Sequence, residues 1–202
     1  MRVGRDITAE ERRRDVLRAA VHCLAASGYE AVRLRDIAKQ AGVSTGLLQH
    51  HFDTREELLE QAFQQASTDL LDKWNALAGR EDPPWGRIVA LVEQVSKHED
   101  VRRHCVTWIE FAAASARHDS LRRSFADIYA AWQQLLRAAV VDGVDAGDFA
   151  PVLPVDEIVS IVLAHIDGCE LALAADIGVM TGDRVGEQTL DLVRALLSHS
   201  IS

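Results

Sequence analysis

The sequence predicts an all-α protein of about nine helices, in which a three-helix head precedes a helical body. Two observations lead to this fold class. Apolar residues recur at helical spacing throughout the chain, and no stretch alternates apolar and polar residues as a half-buried strand would. Capping residues, glycines and prolines then divide the chain into separate helices.

The first helix of the head is marked at both ends. Thr8 and Glu11 have the spacing of a capping box, which starts a helix. Gly28 stands where the apolar stripe stops and is suited to end it. The sequence therefore predicts a helix from about residue 9 to residue 27.

Two short helices joined by a tight turn follow. Ile37 and Ala38 have helical spacing, Gly42 can adopt the left-handed conformation that ends a helix, and Ser44 is a suitable N-cap for the next one. This arrangement is typical of the helix-turn-helix, whose second helix enters the DNA major groove. A plain helical hairpin is the alternative, but small and hydrogen-bonding residues on the short second helix favour contact with base edges. We expect DNA contact from Arg33, Arg35, Ser44, Thr45, Gly46, Gln49, His50, His51 and Arg55.

The body is predicted to begin at residue 54, so that residues 1–53 form the DNA-binding domain and residues 54–202 the ligand-binding and dimerisation domain. A second capping box at Thr54 opens a long fourth helix, and Pro83 and Pro84 precede the fifth. Three further helices follow, and Asp156 is expected to cap the eighth, which reaches about Ile177.

Helices 8 and 9 are apolar on more than one side. A helix of this kind is buried on most sides, and in a chain of 202 residues a partner subunit is the expected cover. We therefore predict a homodimer through these helices. The interface residues are expected to be Ile158, Val162, Ile166, Leu190, Val193, Leu196 and Leu197.

The charge is distributed unevenly along the chain. The net charge is −9, but residues 1–55 carry a net +3 and residues 56–202 a net −12. A basic head on an acidic body suits a domain that faces phosphates. No apolar run is long enough to cross a bilayer, and the first residues lack the apolar region of a signal peptide, so a cytoplasmic protein without membrane contact is expected.

The head resembles that of the TetR family of one-component transcriptional repressors. The resemblance rests on Ile37-Ala38, Ala41-Gly42-Val43-Ser44, Gly46, Leu48, His51-Phe52, Arg55 and Leu58. It implies a dimeric repressor that binds double-stranded operator DNA and is released by a small-molecule effector. Gln49 stands where the family usually has Tyr, and Arg33 where a Thr often caps the helix, so the operator sequence does not follow from the resemblance.

The body is similar to that of the BetI-like branch of this family. The similar residues include Trp108-Ile109-Glu110-Phe111, Tyr129, Trp132 and Asp167-Gly168. The name-giving member of this branch responds to choline, but the identity of the ligand does not transfer with this weaker match.

Aromatic rings and a carboxylate predict a ligand cavity in the body. Glu110 lies between aromatic residues on one helix, where a carboxylate needs a partner. That partner is either Arg117 or Arg137, or a cationic or amine-bearing ligand held partly by aromatic faces. The cavity is expected to be lined by some of Trp74, Trp108, Glu110, Phe111, Tyr129, Trp132 and His165.

No catalytic motif or cofactor-binding motif is present, so an enzyme is not expected. Cys23, Cys105 and Cys169 are predicted to be reduced core residues. His165 and Cys169 share a helix face, which leaves a metal-sensing repressor as one alternative, although two ligands do not make a metal site. The second alternative to a ligand-responsive repressor is an effector-free helical DNA-binding or interaction module.

Overall fold

The computed structural model describes residues 8–78, 82–97 and 100–198, except for the side chains of residues 70, 74, 75, 77 and 78. Within this part of the chain the secondary structure is entirely helical, which confirms the predicted fold class. The helices are α1 (Ala9–Ser27), α2 (Leu34–Ala41), α3 (Thr45–His51), α4 (Arg55–Ala78), α5 (Pro84–Ser96), α6 (Val101–Ser115), α7 (Asp119–Asp145), α8 (Val155–Ala174) and α9 (Gly182–Leu197). No helix of the described part is long and apolar enough to cross a membrane.

Local capping explains where the first helices begin and end. The Thr8 side chain accepts from the Glu11 amide while the Glu11 carboxylate accepts from the Thr8 amide, which is the predicted capping box. Gly42 ends α2 with φ 68° and ψ 29°, and the Ser44 hydroxyl accepts from the Leu47 amide at the start of α3. Arg33, at the N-cap of α2, makes no side-chain capping bond.

Helix α8 begins earlier and ends earlier than its sequence suggests. Its N-cap is Pro154, so Asp156 lies in the first turn and is not the cap. There the Asp156 carboxylate accepts from the Arg137 side chain at 2.7 Å. The helix ends at Ala174, and Ile177 therefore lies beyond it.

The described residues form two compact units. Unit 1 contains the described part of residues 1–68 together with Glu110–Ser124, and unit 2 contains that of Asp69–Ile109 and Phe125–Ser202. Helices α1, α2 and α3 all lie in unit 1, whereas α4, α6 and α7 each contribute to both units. The functional division at residue 53 remains a prediction, because compactness does not say which residues bind DNA.

Each unit has its own apolar core. In unit 1 the side chains of Leu24, Ile37 and Leu58 are fully buried. The core of unit 2 includes Ile158 and Val193, which are also fully buried. Burial of this kind supplies the main favourable free energy of each unit.

Candidate DNA interface and ligand site

The short helix α3 turns most of its polar side chains outward. Leu48 faces the core of unit 1 and is almost completely buried. The remaining positions predicted for DNA contact on this helix and its cap are exposed, except for the half-buried Thr45. They are Ser44, Thr45, Gly46, Gln49, His50 and His51. The structure thus brings six of the predicted residues together in one short segment.

Two of the predicted arginines lie at the start of α2. Arg33 and Arg35 are both exposed. The Arg35 guanidinium is 3.7 Å from the Asp36 carboxylate, and both side chains remain largely in solvent. Exposed ion pairs contribute little to stability, so the Arg35 guanidinium can exchange Asp36 for an anion that binds it more strongly.

Arg55 has a different environment. Its side chain is 21% exposed, and one guanidinium nitrogen donates to the main-chain oxygens of Tyr29 and Val32, at 2.5 and 3.3 Å. A second nitrogen lies 2.8 Å from the Glu56 carboxylate, and the guanidinium lies over the Tyr29 ring. These contacts fasten the start of α4 to the connection between α1 and α2. The predicted phosphate contact stays a prediction, but these contacts show that Arg55 also stabilises the packing of α4 against the connection between α1 and α2.

The predicted ligand residues are divided between the two units. Glu110 and Phe111 belong to unit 1, whereas Trp108, Tyr129, Trp132 and His165 belong to unit 2. The side chain of Trp74 lies outside the described residues.

Neither of the arginines considered for Glu110 is its partner. The Glu110 carboxylate accepts from the Tyr29 main-chain amide at 2.9 Å and lies against Gly28. Arg117 contacts Glu30 instead, and Arg137 contacts Asp156. This hydrogen bond gives one oxygen of the carboxylate a main-chain donor, so Glu110 holds the connection between α1 and α2. Its neighbour Phe111 is buried and stacks on Phe63, with ring centroids 4.0 Å apart.

In unit 2, four aromatic rings form a stacked array, which we name the aromatic array. Trp108 of α6 stacks on Phe125 and on Trp132 of α7, with centroid distances of 4.4 and 4.6 Å. Tyr129 is roughly parallel to Trp108, at 6.4 Å. Three members were predicted from the sequence, and Phe125 was not. An aromatic face has a negative electrostatic potential that attracts a cation wherever the face is not covered by a stacking partner.

Asp167 of α8 joins the aromatic array by two hydrogen bonds. One carboxylate oxygen accepts from the Tyr129 hydroxyl at 2.9 Å, and the other accepts from the Trp108 indole at 3.4 Å. Burial and the bond to Asp167 both raise the pKa of Tyr129, which therefore stays protonated and donates. The sequence indicated this carboxylate only through the resemblance to BetI-like bodies.

Glu170, three residues further along α8, was missed from the sequence. Its side chain is fully buried, and neither carboxylate oxygen has a hydrogen-bond partner within the described structure. Burial, followed by the negative charge of Asp167, raises the pKa of Glu170 to about 8. The available signal was a charged residue at helical spacing from the apolar Ile166 and Leu173.

Two cysteine side chains lie close to this carboxyl group. Cys105 and Cys169 are buried free thiols in one apolar cluster, and Cys23 is also a buried free thiol, as predicted. Burial, followed by the charge of Glu170, raises the pKa of Cys105 to about 12, which keeps the thiol protonated. His165 contacts Cys169 at 3.6 Å, but no group of three potential ligands that could hold a metal occurs among the described residues.

A small cavity in unit 2 adjoins the aromatic array. It has a volume of about 30 Å³ and is lined by apolar side chains of α5, α7 and α8, including Trp132 and Ile166. A space of this size accommodates water but not an organic ligand. A ligand that enters here must displace side chains.

The residues predicted for the dimer interface belong to the core of their own chain. Four are buried, namely Ile158, Val162, Val193 and Leu197, and the other three pack against them. The helices bury these four side chains against each other within one chain, whereas Ile166, Leu190 and Leu196 remain partly exposed, so the dimer interface stays a prediction. The opposite face of α8 exposes Ile161 and Leu171, which are 39% and 57% exposed.

Sequence comparison gives matches over both parts of the chain. Residues 16–62 match the family described as bacterial regulatory proteins, tetR family. Residues 84–198 match the C-terminal domain described as that of the BetI-type transcriptional repressor.

Individual relatives agree with these matches. The chain is 33% identical to the HTH-type transcriptional regulator PksA of Bacillus subtilis over 115 residues, which is 56% of each chain. It is 27% identical to BetI of Burkholderia lata over 192 residues, covering 83% of this chain and 96% of BetI. A transcriptional regulator from Saccharomonospora viridis, solved in complex with choline, has a TM-score of 0.84 at 24% identity, covering 92% of this chain and 96% of that one. At this identity the structural likeness shows the fold.

Proposed function

Because the chain belongs to the tetR family of bacterial regulatory proteins and has a BetI-type C-terminal domain, we propose that it is a ligand-responsive repressor. In this proposal the protein binds operator DNA as a dimer and is released by a small cationic effector. The observation that carries the ligand part is the aromatic array with Asp167 hydrogen-bonded to its edge.

The exposed face of α3 supports the DNA part of the proposal. Its small and hydrogen-bonding side chains can approach base edges, and we propose that Arg33 and Arg35, which are exposed at the start of α2, contact phosphates. Gln49 is the residue best suited to read a base, because its amide can both donate to and accept from an adenine edge.

Dimerisation is proposed through the outward face of α8. Ile161, Ala164, Gly168 and Leu171 are exposed and lie three or four residues apart, so they form one apolar stripe. A second copy packed on this stripe would remove it from water. Two recognition helices would then reach successive major grooves, about 34–36 Å apart.

Release from DNA is proposed to begin at α6. This helix carries Trp108 of the aromatic array, and two residues further on it carries Glu110, which holds the amide of Tyr29. A ligand that displaces Trp108 would move α6 and disturb this bond next to the DNA-binding helices. Coupling between such sites is typically about 1–3 kcal/mol.

The proposal is tested by selecting bound sequences from random DNA duplexes and measuring the affinity of the selected duplex by fluorescence anisotropy. We expect affinity to fall steeply with salt concentration and Gln49→Ala to alter sequence preference. Lys39→Ala, on an exposed residue of α2, serves as the matched control for sequence preference.

The effector part of the proposal uses the same duplex. We expect at least one member of a panel of small organic cations, which includes choline and ethanolamine, to weaken binding, and Trp108→Ala to abolish that response without affecting DNA affinity in the absence of effector. A protein that binds no duplex, or that binds duplexes with no dependence on salt, would instead be a helical interaction module.

A further inference from the structure

Glu170 combines complete burial with two carboxyl oxygens that have no hydrogen-bond partner among the described residues. The side chain nevertheless lies in the interior of unit 2 beside Cys105 and Cys169. Asp167 differs in this respect, because its two oxygens already accept from Trp108 and Tyr129. A buried polar group without a partner destabilises a protein and requires an explanation.

We propose that Glu170 accepts a hydrogen bond from the ammonium group of the effector, which is therefore a primary, secondary or tertiary amine and not a quaternary ammonium ion. This inference rests on the proposed function and specifies the chemical class of its effector. On binding, Glu170 would release its proton to water, so that the resulting carboxylate neutralises the ammonium charge and accepts a hydrogen bond from its N–H.

The difference between amines and quaternary ammonium ions is one of hydrogen bonding. A quaternary ammonium ion is covered by methyl groups and has no N–H, so aromatic faces alone can satisfy it. If Glu170 ionised beside such an ion, its carboxylate would gain a neighbouring charge but no hydrogen-bond donor. An amine engages the aromatic rings through its charge and the carboxylate through its N–H.

Glu170 also has the required position. It lies one turn beyond Ile166, which lines the small cavity together with Trp132 of the aromatic array. Its negative charge is near enough to Tyr129 to contribute to the raised pKa of that hydroxyl. The cavity, the aromatic array and the unpartnered carboxylate thus occupy neighbouring positions within unit 2.

The experiment measures binding of matched amine pairs to the full chain by calorimetry, in the absence of DNA. The pairs are ethanolamine and choline, butylamine and butyltrimethylammonium, and benzylamine and benzyltrimethylammonium. We expect the amine of at least one pair to bind at least tenfold more tightly than its quaternary counterpart. Glu170→Gln should remove this preference, and Glu170→Asp should retain part of it because a carboxylate remains.

A matched control lies on the same helix. Glu157 is exposed in the first turn of α8, and Glu157→Gln should leave the amine preference unchanged. Circular dichroism and thermal unfolding establish that each variant is folded. The inference is overturned if the quaternary ion of every pair binds as well as the amine, if no pair binds, or if Glu170→Gln keeps the preference.

The failure of this inference can be distinguished from that of the proposed function. One outcome is salt-dependent DNA binding with release by choline and without any amine preference. It would support the proposed repressor function and contradict the proposed role of Glu170. Selective amine binding without an effect on a bound duplex would support the role of Glu170 and contradict the release of DNA by that amine.

Discussion

Replacing Glu170 by glutamine should stabilise the protein, by an amount that depends on pH. The substitution keeps the shape of the side chain but removes an ionisable group whose pKa is about 8 in the folded state, against 4.5 for an ordinary glutamate. Burial is the main cause, and the negative charge of Asp167 is the second. Cys105, Cys169 and Tyr129 are also near this carboxyl, and all three remain neutral at pH 7 because burial raises their pKa values.

The sign follows from proton binding. Between pH 4.5 and pH 8 the folded protein keeps the Glu170 proton that the unfolded chain releases, so the free energy of unfolding of the wild type falls as pH rises. Each pH unit in this window corresponds to about 1.4 kcal/mol. Relative to the glutamine variant, the wild type loses about 3 kcal/mol at pH 7 and about 5 kcal/mol above pH 8, where the difference levels off.

The assay is thermal or urea unfolding of both proteins from pH 4 to pH 9. At pH 4 the two unfolding curves should differ little. At pH 7 the melting temperature of the variant should be higher by roughly 6–12 °C, from the usual 2–4 °C per kcal/mol for a chain of this size. A stability difference that is constant over the whole range, or a variant that is less stable at pH 7, would refute the reasoning.

Three further predictions concern other parts of the molecule. Arg55→Ala should lower the free energy of unfolding by about 1–3 kcal/mol, since main-chain oxygens lose a charged donor. Arg35→Ala should instead reduce the salt dependence of DNA binding. If both variants reduced the salt dependence equally, a structural role for Arg55 and a phosphate-contact role for Arg35 would be contradicted. Leu171→Asp, on the exposed face of α8, should yield folded monomers in sedimentation experiments; persistent dimers would reject this interface. Gly143→Ala should destabilise the chain by about 1–3 kcal/mol in urea unfolding, because the new carbon would lie 2.1 Å from the Phe149 ring; unchanged stability would contradict it.

The sequence by itself determined the helices and the head. Helix boundaries depend on residues that are close together along the chain, such as the Thr8 capping box, Gly42 and the Ser44 N-cap. The linear sequence therefore contains nearly all the information needed to locate these boundaries. The outward positions of α3 follow from the same periodicity, since Leu48 fixes which side faces the core.

Tertiary structure alone decided the partners of charged and apolar side chains. Whether Glu110 finds an arginine, a ligand or the Tyr29 amide depends on which helix packs against it, and residues 29 and 110 are far apart in sequence. The same reason explains why Val193 was assigned to a partner subunit although it is buried in its own chain. Apolar residues on two sides of a helix predict that both sides are covered, but they do not identify what covers them.

Glu170 shows this division most clearly. Its position in the sequence, within an apolar helix, indicates a carboxylate that faces inward. Only the packing of α6, α7 and α8 determines that Asp167 accepts from Trp108 and Tyr129, whereas neither oxygen of Glu170 has a donor in the part of the chain that the structure describes. A free energy of desolvation depends on the whole surroundings of a group, and those surroundings come from segments that the local sequence does not contain.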